Sequence, residues 1–143
     1  MFLGEYQHSI DEKGRLVLPS KFRGRMAEGV VVTKGQERCL YVFPLDRWAE
    51  EVAKVNRLPR TNRRNRNFAR SFFGAATDQQ PDRQGRIQVP QPLREYAALE
   101  HDVIVVGVSD RLELWEFAAW TSVSQEADDA YADISDALSE EGI

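Results

Sequence analysis

Two short segments of the chain place an arginine four residues after an aspartate, with a glycine directly before each arginine. The first pair is Asp11 with Arg15, and the second is Asp82 with Arg86. The planar guanidinium of arginine can bind two acceptors at once, either O6 and N7 of guanine or two phosphate oxygens, and a nearby carboxylate can hold it in one orientation. These four residues are therefore candidates for binding a nucleic acid.

Each pair is expected to flank a short loop. The aspartate can accept a hydrogen bond from the backbone N–H two residues further on, and Gly14 can take the positive φ that ends such a loop. Lys13 and Arg83 would then lie at the loop tips and contact phosphate whatever the base sequence. The alternative is that each Asp–Arg pair only closes a hairpin, because exposed pairs of this kind contribute about 0–1 kcal/mol.

The loops belong to a longer internal repeat. The pattern Asp-x-x-Gly-Arg-apolar-x-apolar-Pro occupies residues 11–19 and again residues 82–90, a displacement of 71 positions. Residues 40–48 match residues 112–120 at a displacement of 72, and both blocks end in tryptophan. Two copies are too few for a solenoid, which needs three or more, so the repeat predicts a closed pair of half-domains related by a pseudo-two-fold axis.

Each half is predicted to contain a strand, a turn, a strand, a short helix, two further strands and a helix. Runs of β-branched and aromatic residues predict strands at 30–33 and 39–43, which recur at 103–106 and 112–115. Ser20 is the expected cap of the short helix in the first half. Residues 107–110 are expected to form the turn between the later two strands of the second half. The fold class expected from these elements is α+β, dominated by sheet.

A cluster of basic residues lies between the halves, in a segment that is expected to be a helix capped by Thr61 or Asn62. Seven basic residues and no acidic one fall between Lys54 and Thr77. They are Lys54, Arg57, Arg60, Arg63, Arg64, Arg66 and Arg70. Two interpretations stay open: an electrostatic site for phosphate, or a solvated face that docks the acidic groups of another subunit. Its position relative to the two loops would decide between them.

The acidity of the chain comes from its C-terminal end. The net charge is −4, yet residues 124–143 hold seven acidic residues and no basic one, which leaves residues 1–123 with 19 basic and 16 acidic side chains, or +3. We call residues 124–143 the acidic tail and expect a frayed helix there. The absence of a signal segment and of a long apolar run predicts a cytoplasmic protein with no membrane partner. Cys39, the only cysteine, is expected to be a buried thiol.

Catalysis is the less favoured interpretation. Two symmetric aspartates are reminiscent of an aspartic protease, in which two acids share one proton. Here an arginine follows each aspartate, so both carboxylates should stay ionised. His8 and His101 have no repeated acid or thiol partner, and the sequence contains no glycine-rich phosphate loop and no cluster with metal-ligand spacing. We expect no enzyme activity, cofactor, metal or small-molecule substrate.

The opening residues, the paired Asp-x-x-Gly-Arg frames and the terminal tryptophan of each half resemble the MraZ family of bacterial regulators, which are built from two tandem SpoVT-AbrB domains of the swapped-hairpin type. The resemblance covers Met1 to about Ser122. It implies that the Asp-x-x-x-Arg motif is the DNA-binding element, here at Asp11/Arg15 and Asp82/Arg86. It also implies a ring-forming homo-oligomer that binds double-stranded DNA.

From these observations we expect four segments: a first SpoVT-AbrB-like domain (1–53), an arginine-rich helical linker (54–73), a second such domain (74–123) and the acidic tail. The two domains should form one barrel-like module. The expected function is sequence-specific transcriptional regulation in the nucleoid. By resemblance, the targets are G-rich direct repeats upstream of the cell-division and cell-wall gene cluster that includes the chain's own gene. The alternative is an oligomeric protein-binding module without specific DNA recognition.

Overall fold

The computed structural model describes residues 1–134 and 136–143, so Ser135 of the acidic tail, and the side chains of Asp136 and Ala137, lie outside the description. The described strands are β1 Phe2–Ser9, β2 Arg15–Val17, β3 Val30–Lys34, β4 Leu40–Pro44, β5 Thr77–Gln79, β6 Arg86–Gln88, β7 Asp102–Ser109 and β8 Arg111–Glu116. The described helices are α1 Arg23–Met26, α2 Leu45–Asn56, α3 Arg63–Ala75, α4 Gln91–Tyr96, α5 Phe117–Asp133 and α6 Asp136–Ser139. The fold is α+β and rich in sheet, as the sequence predicts.

Six of these strands form one open antiparallel sheet in the order β1-β7-β8-β4-β3-β5. The other two, β2 and β6, form a separate antiparallel pair that we call the ribbon. Within the first half, β2 is joined to the end of β1 only by a bridge between Ile10 and Leu16. The strand before each loop and the strand after it therefore pair mainly with the other half of the chain.

This exchange follows a pseudo-two-fold axis. Leu16 lies opposite Ile87 in the ribbon, and these are equivalent positions of the repeat. Tyr41 lies opposite Glu113 where β4 pairs with β8, and these positions are also equivalent. The outer pairs β1–β7 and β3–β5 again join one half to the other. The arrangement confirms two tandem half-domains of the swapped-hairpin kind.

The main core lies between the ribbon and one face of the sheet. Leu16 and Ile87 are the inward-facing residues of the ribbon, and they are buried in one cluster with sheet residues such as Val32 and Leu114. The opposite face of the sheet is covered by helices. Phe43 packs against Trp48 of α2 at 5.9 Å between ring centroids, and Trp48 stacks on Phe72 of α3 at 5.3 Å. The ribbon and the pair α2 and α3 thus lie on opposite faces of the sheet.

Helix α5 covers the second half in the same way that α2 covers the first. Trp115 of β8 lies 5.6 Å from Trp120 of α5, measured between ring centroids. The side chain of Glu116 caps α5 by accepting from the backbone N–H groups of Ala118 and Ala119 at 3.0 and 2.7 Å. None of the helices in the described part of the chain has both the length and the apolar character that a membrane crossing requires.

Two local predictions are wrong. Ser20 does not cap the short helix: it begins a 3-10 turn in which the backbone N–H of Phe22 donates to the carbonyl of Pro19 at 2.9 Å, and its side chain makes no capping bond. The turn expected at 107–110 is shorter, because Gly107 is part of β7 and pairs with Gly4. A Cβ at Gly107 would meet the backbone of β1, so this glycine provides room inside a strand instead of ending it.

Candidate nucleic-acid interface

The first loop is closed by a single carboxylate. Oδ1 of Asp11 accepts from the backbone N–H of Lys13 at 2.9 Å and from that of Arg15 at 2.8 Å. Oδ2 accepts from Nε of Arg15 at 2.7 Å. Gly14 has a φ of +81°, as the turn prediction requires. The aspartate therefore shapes the backbone of the loop and orients the guanidinium at the same time.

The second loop repeats this geometry almost bond for bond. Oδ1 of Asp82 accepts from the backbone N–H groups of Gln84 and Arg86, both at 2.9 Å, and Oδ2 accepts from Nε of Arg86 at 2.7 Å. Gly85 has a φ of +76°. Both loops were predicted from the sequence, and both arginines are held through Nε alone. Within the described residues, Nη1 and Nη2 of Arg15 and Arg86 make no hydrogen bond.

The loop hydrogen bonds keep both carboxylates charged. The pKa of Asp11 is lowered chiefly by the backbone N–H of Arg15, with further lowering from the Arg15 guanidinium. The pKa of Asp82 is lowered chiefly by the backbone N–H of Arg86 and then by its side chain. Since each acid is paired with its own arginine, the two do not share a proton as an aspartic protease pair does. This agrees with the expectation that both aspartates stay ionised.

The two loops brace each other through the exchanged strands. The backbone N–H of Val89 donates to the carbonyl of Gly14 at 2.7 Å, and that of Leu18 donates to the carbonyl of Gly85 at 2.8 Å. The position of one loop is thus fixed by the backbone of the other half. The loops are rigid parts of one unit, which is what a pre-organised binding surface needs.

The ribbon presents both arginines on one face. Side chains alternate along a strand, and since Leu16 and Ile87 point into the core, Arg15 and Arg86 point outward. Arg15 lies opposite Gln88, so Arg15 and Arg86 are diagonal neighbours across the ribbon, about 7–8 Å apart. Their side chains are 37% and 30% exposed. The structure therefore brings the two predicted pairs together on a single outward surface.

The two loop-tip cations are also accessible. Lys13 and Arg83 are exposed, and neither side chain has an acidic partner among the described residues. They do not occupy equivalent positions, because Lys13 corresponds to Gln84 and Arg83 to Glu12. The cationic tips of the two loops are consequently placed differently relative to their arginines.

Two further arginines support the loops. Nε of Arg23 donates to the carbonyl of Leu18 at 3.1 Å, and Nε of Arg94 donates to the carbonyl of Val89 at 3.0 Å. A Cβ on Gly85 would collide with the Arg23 side chain, which shows that each arginine lies against the loop of the opposite half. The repeat marks this pair by its equivalent positions, but spacing alone did not show what either residue contacts.

Gln88 also supports the loops, and the repeat does not identify it. It lies on the outward face of the ribbon, and its side chain donates to the carbonyl of Lys13. Its backbone N–H donates to Oε1 of Gln79 at 2.6 Å, and its carbonyl accepts from Nε2 of Gln79 at 2.7 Å. Gln88 therefore ties the second strand of the ribbon to the first loop. The position of Gln88 in the repeat is filled by Val17 in the first half, so no repeated signal points to it.

The basic cluster lies on the other side of the sheet. Its arginines belong to α3 and to the turn between α2 and α3, and these two helices cover the face opposite the ribbon. Lys54 pairs with Glu51 at 3.3 Å. The remaining six, which we call the arginine surface, have no acidic partner among the described residues; they are Arg57, Arg60, Arg63, Arg64, Arg66 and Arg70. This position does not favour a phosphate site on the duplex face that the ribbon would meet.

The remaining candidates for chemistry lie in ordinary structural settings. Cys39 is buried, as predicted, and burial raises the pKa of its thiol to about 12. Burial, and next the charge of Arg23, lower the pKa of His8. His101 is exposed and lies 3.0 Å from Asp102. No group of three histidine, cysteine or acidic residues in the described chain is arranged to hold a metal ion.

Comparison with known proteins agrees with this architecture. A family model described as "MraZ protein, putative antitoxin-like" matches residues 1–71 and again residues 72–140. The transcriptional regulator MraZ of Salinispora tropica is 48% identical over 96% of this chain and 97% of its own length. The protein of that name from Desulfitobacterium hafniense is 48% identical over the full length of both chains, and the one from Moorella thermoacetica is 46% identical over 96% of each. The chain therefore belongs to the MraZ family.

Proposed function

We propose that this protein is a sequence-specific DNA-binding transcriptional regulator that contacts DNA through its two Asp-x-x-Gly-Arg loops. Arg15 and Arg86 read bases, Asp11 and Asp82 orient them, and Lys13 and Arg83 contact phosphate. The observation that carries the proposal is the outward face of the ribbon, where two equivalent guanidinium groups are held through Nε while their Nη groups make no hydrogen bond among the described residues. The curated relatives are named as transcriptional regulators, which supports the same conclusion.

The shape and chemistry of the ribbon suit the major groove. That groove admits a two-stranded β-ribbon, and the commonest specific contact in it is an arginine bound to O6 and N7 of guanine. An arginine held through Nε has its two terminal nitrogens left to donate. The net charge of +3 on residues 1–123 favours approach to DNA, although the whole chain is acidic.

The target that we propose is a set of G-rich direct repeats upstream of the cell-division and cell-wall gene cluster that includes the chain's own gene. Several copies of the chain, assembled as a homo-oligomeric ring, would present several ribbons together. Repeats spaced by about 10 bp would place each ribbon on the same face of the helix. The protein would act in the cytoplasm, on the nucleoid, as a binding protein and not as an enzyme.

We also propose a role for each of the four segments of the chain. Residues 1–53 and 74–123 supply one loop each, residues 54–73 link the halves, and the acidic tail follows. The helices α2 and α5 cross the boundaries at 53 and 123. The two domains are therefore the halves of a sequence repeat that exchange strands, and the four segments are not separate globular bodies.

The test is a salt titration of binding to a duplex with G-rich direct repeats and to a scrambled duplex of the same composition. The intact chain should prefer the repeats, with affinity that falls steeply as salt rises. Replacing both Arg15 and Arg86 with alanine should remove the preference. One bidentate contact contributes about 1–3 kcal/mol of discrimination, so the loss of two should lower specific affinity by at least about 30-fold.

Two sets of control variants distinguish base recognition by the ribbon arginines from general effects of charge. Replacing both Arg63 and Arg64 with alanine removes the same two charges from the opposite face of the sheet, and it should leave the preference intact. Lys13→Ala or Arg83→Ala should weaken binding to both duplexes and flatten the salt slope by about one unit. Equal binding of the intact chain to both duplexes, or an unchanged preference in the double arginine variant, would contradict the proposal.

A further inference from the structure

Three residues of the arginine surface line a largely apolar cleft. The cleft has a volume of about 230 Å³ and lies where α2 ends and α3 begins. Its apolar lining comes from Val55, Leu58, Pro59 and Ala69, while Arg60, Arg66 and Arg70 add positive charge. Leu58 at the edge of this cleft is 39% exposed. A surface of this kind suits a partner with apolar groups surrounded by carboxylates.

The acidic tail of this chain has that character. Tyr131 is 80% exposed, Ile134 is 48% exposed and Ile143 is 86% exposed, and together with Leu138 they form a small apolar group. Carboxylates lie on either side of it along the chain. Those whose side chains the structure describes are Glu126, Asp128, Asp129, Asp133, Glu140 and Glu141. None of these six forms an ion pair within the described residues.

One chain therefore carries two surfaces of opposite charge that form no ion pairs among the described residues, and each has an apolar centre. We propose that the acidic tail of one copy docks on the arginine surface of a second copy. No hydrogen bond or ion pair joins the two surfaces within the described part of one chain. Helix α5 packs on Trp115 in the second half, whereas α2 and α3 pack around Phe43 in the first. A contact between two different surfaces is heterologous, and it can close into a ring or continue as a filament.

The location of the arginine surface supports this partner over a phosphate backbone. The ribbon and the arginine surface lie on opposite faces of the sheet, so one duplex could not easily meet both. The proposed contact does not depend on the proposed DNA-binding function. Because most of its charges are exposed, it should weaken as salt shortens the range of electrostatic attraction to about 8 Å at 0.15 M ionic strength.

Sedimentation velocity on three charge-reversed full-length chains tests the contact. The first carries Arg60→Glu, Arg63→Glu and Arg70→Glu, and the second carries Asp128→Lys, Asp129→Lys and Asp133→Lys. These side chains are exposed and form no ion pair in the described chain, so circular dichroism should show an unchanged fold. At low salt the wild-type chain should assemble, and each reversed chain alone should be shifted to smaller species.

Mixing the two reversed chains should restore assembly, because each then offers the charge that the other lacks. The third chain, which carries all six changes, should assemble on its own for the same reason. A labelled peptide of residues 124–143 should bind the tail-reversed chain and fail to bind the surface-reversed chain. Wild-type-like assembly of either reversed chain, or no rescue on mixing, would overturn the proposal. Loss of DNA affinity without loss of assembly in the surface-reversed chain would instead identify a phosphate site.

Discussion

At the scale of single residues, Asp11 and Asp82 each do two jobs with one carboxylate. Oδ1 accepts two backbone N–H groups and so shapes the loop, while Oδ2 accepts Nε of the arginine. The sequence offers two roles for each Asp–Arg pair: it closes a hairpin, or it orients a guanidinium for binding. In the structure each pair does both. The two roles use different oxygens, and this allows them to be separated by mutation.

Replacing Asp11 and Asp82 with asparagine should separate the roles. The asparagine Oδ1 can still accept from the loop N–H groups, but its amide NH₂ cannot accept from arginine Nε. We expect a folded protein with normal loops and mobile arginines. Affinity for G-rich repeats should fall, but by less than in the Arg15→Ala, Arg86→Ala variant, when both are measured by fluorescence anisotropy at one salt concentration.

The matched control is replacement of the same two aspartates by alanine, which removes both roles. It should lower thermal stability in addition to DNA affinity, whereas the asparagine variant should lose mainly affinity. If the asparagine variant binds the repeats as tightly as the wild type, orientation by the carboxylate contributes nothing to recognition, and only the loop-shaping role remains.

At the scale of elements, the loop glycines connect local conformation to the exchange between halves. Gly14 and Gly85 both have positive φ, and both are packed against the opposite half. A Cβ at Gly14 would lie 2.5 Å from the backbone carbonyl oxygen of Val89. At Gly85 the nearest group is the side chain of Arg23, which can move. The same substitution should therefore have unequal effects at two equivalent positions.

We predict that Gly14→Ala destabilises the protein more than Gly85→Ala does. The left-handed conformation alone costs alanine about 1–2 kcal/mol at either position, and only Gly14 adds a collision with fixed backbone. Urea unfolding followed by circular dichroism measures both values. Gly24→Ala is the control, since Gly24 lies in α1 with nothing within 4 Å of an added Cβ, and alanine should be neutral or stabilising there. Equal destabilisation by the two loop variants would show that the ribbon backbone yields as easily as a side chain.

The elements also show how far the sequence alone leads. The loops, the strands at 30–33 and 112–115 and the Asn62 cap of α3 follow from local chemistry, and the structure contains them. Strand partners do not follow, because both halves carry the same apolar pattern and β2 could pair equally well within its own half. The basic cluster lies on the side of the sheet where α3 packs through Phe72. The spacing of arginines and phenylalanines along α3 does not predict which face of the helix is buried. A glycine between two strands predicts a turn at Gly107. The close approach of β1, which is the actual reason for a glycine there, cannot be seen in the sequence.

At the scale of the whole molecule, the two family matches do not correspond to two independent folding units. Four of the six strand pairings join residues of different halves: β1–β7, β2–β6, β3–β5 and β4–β8. Only β3–β4 and β7–β8 form a ladder within one half. A single half would therefore leave long strand edges unpaired and the core surface beneath the ribbon exposed, which is costly in water.

We predict that neither half folds as a monomer, and that the two halves rescue each other. The exposed segment between α2 and α3 offers the cut, giving fragments 1–60 and 61–143. Each fragment alone should be unfolded or should fold only as a dimer. A dimer is possible because the two halves are similar in sequence, so a second copy of one fragment can supply the strands of the absent half. Mixing the fragments should restore a 1:1 complex with the circular dichroism spectrum of the intact chain. The control is intact protein cleaved after folding at a protease site placed in the same segment, which should stay together. A folded monomer from either fragment, seen by analytical ultracentrifugation, would show that the exchanged strands are dispensable and that each half contains its own core.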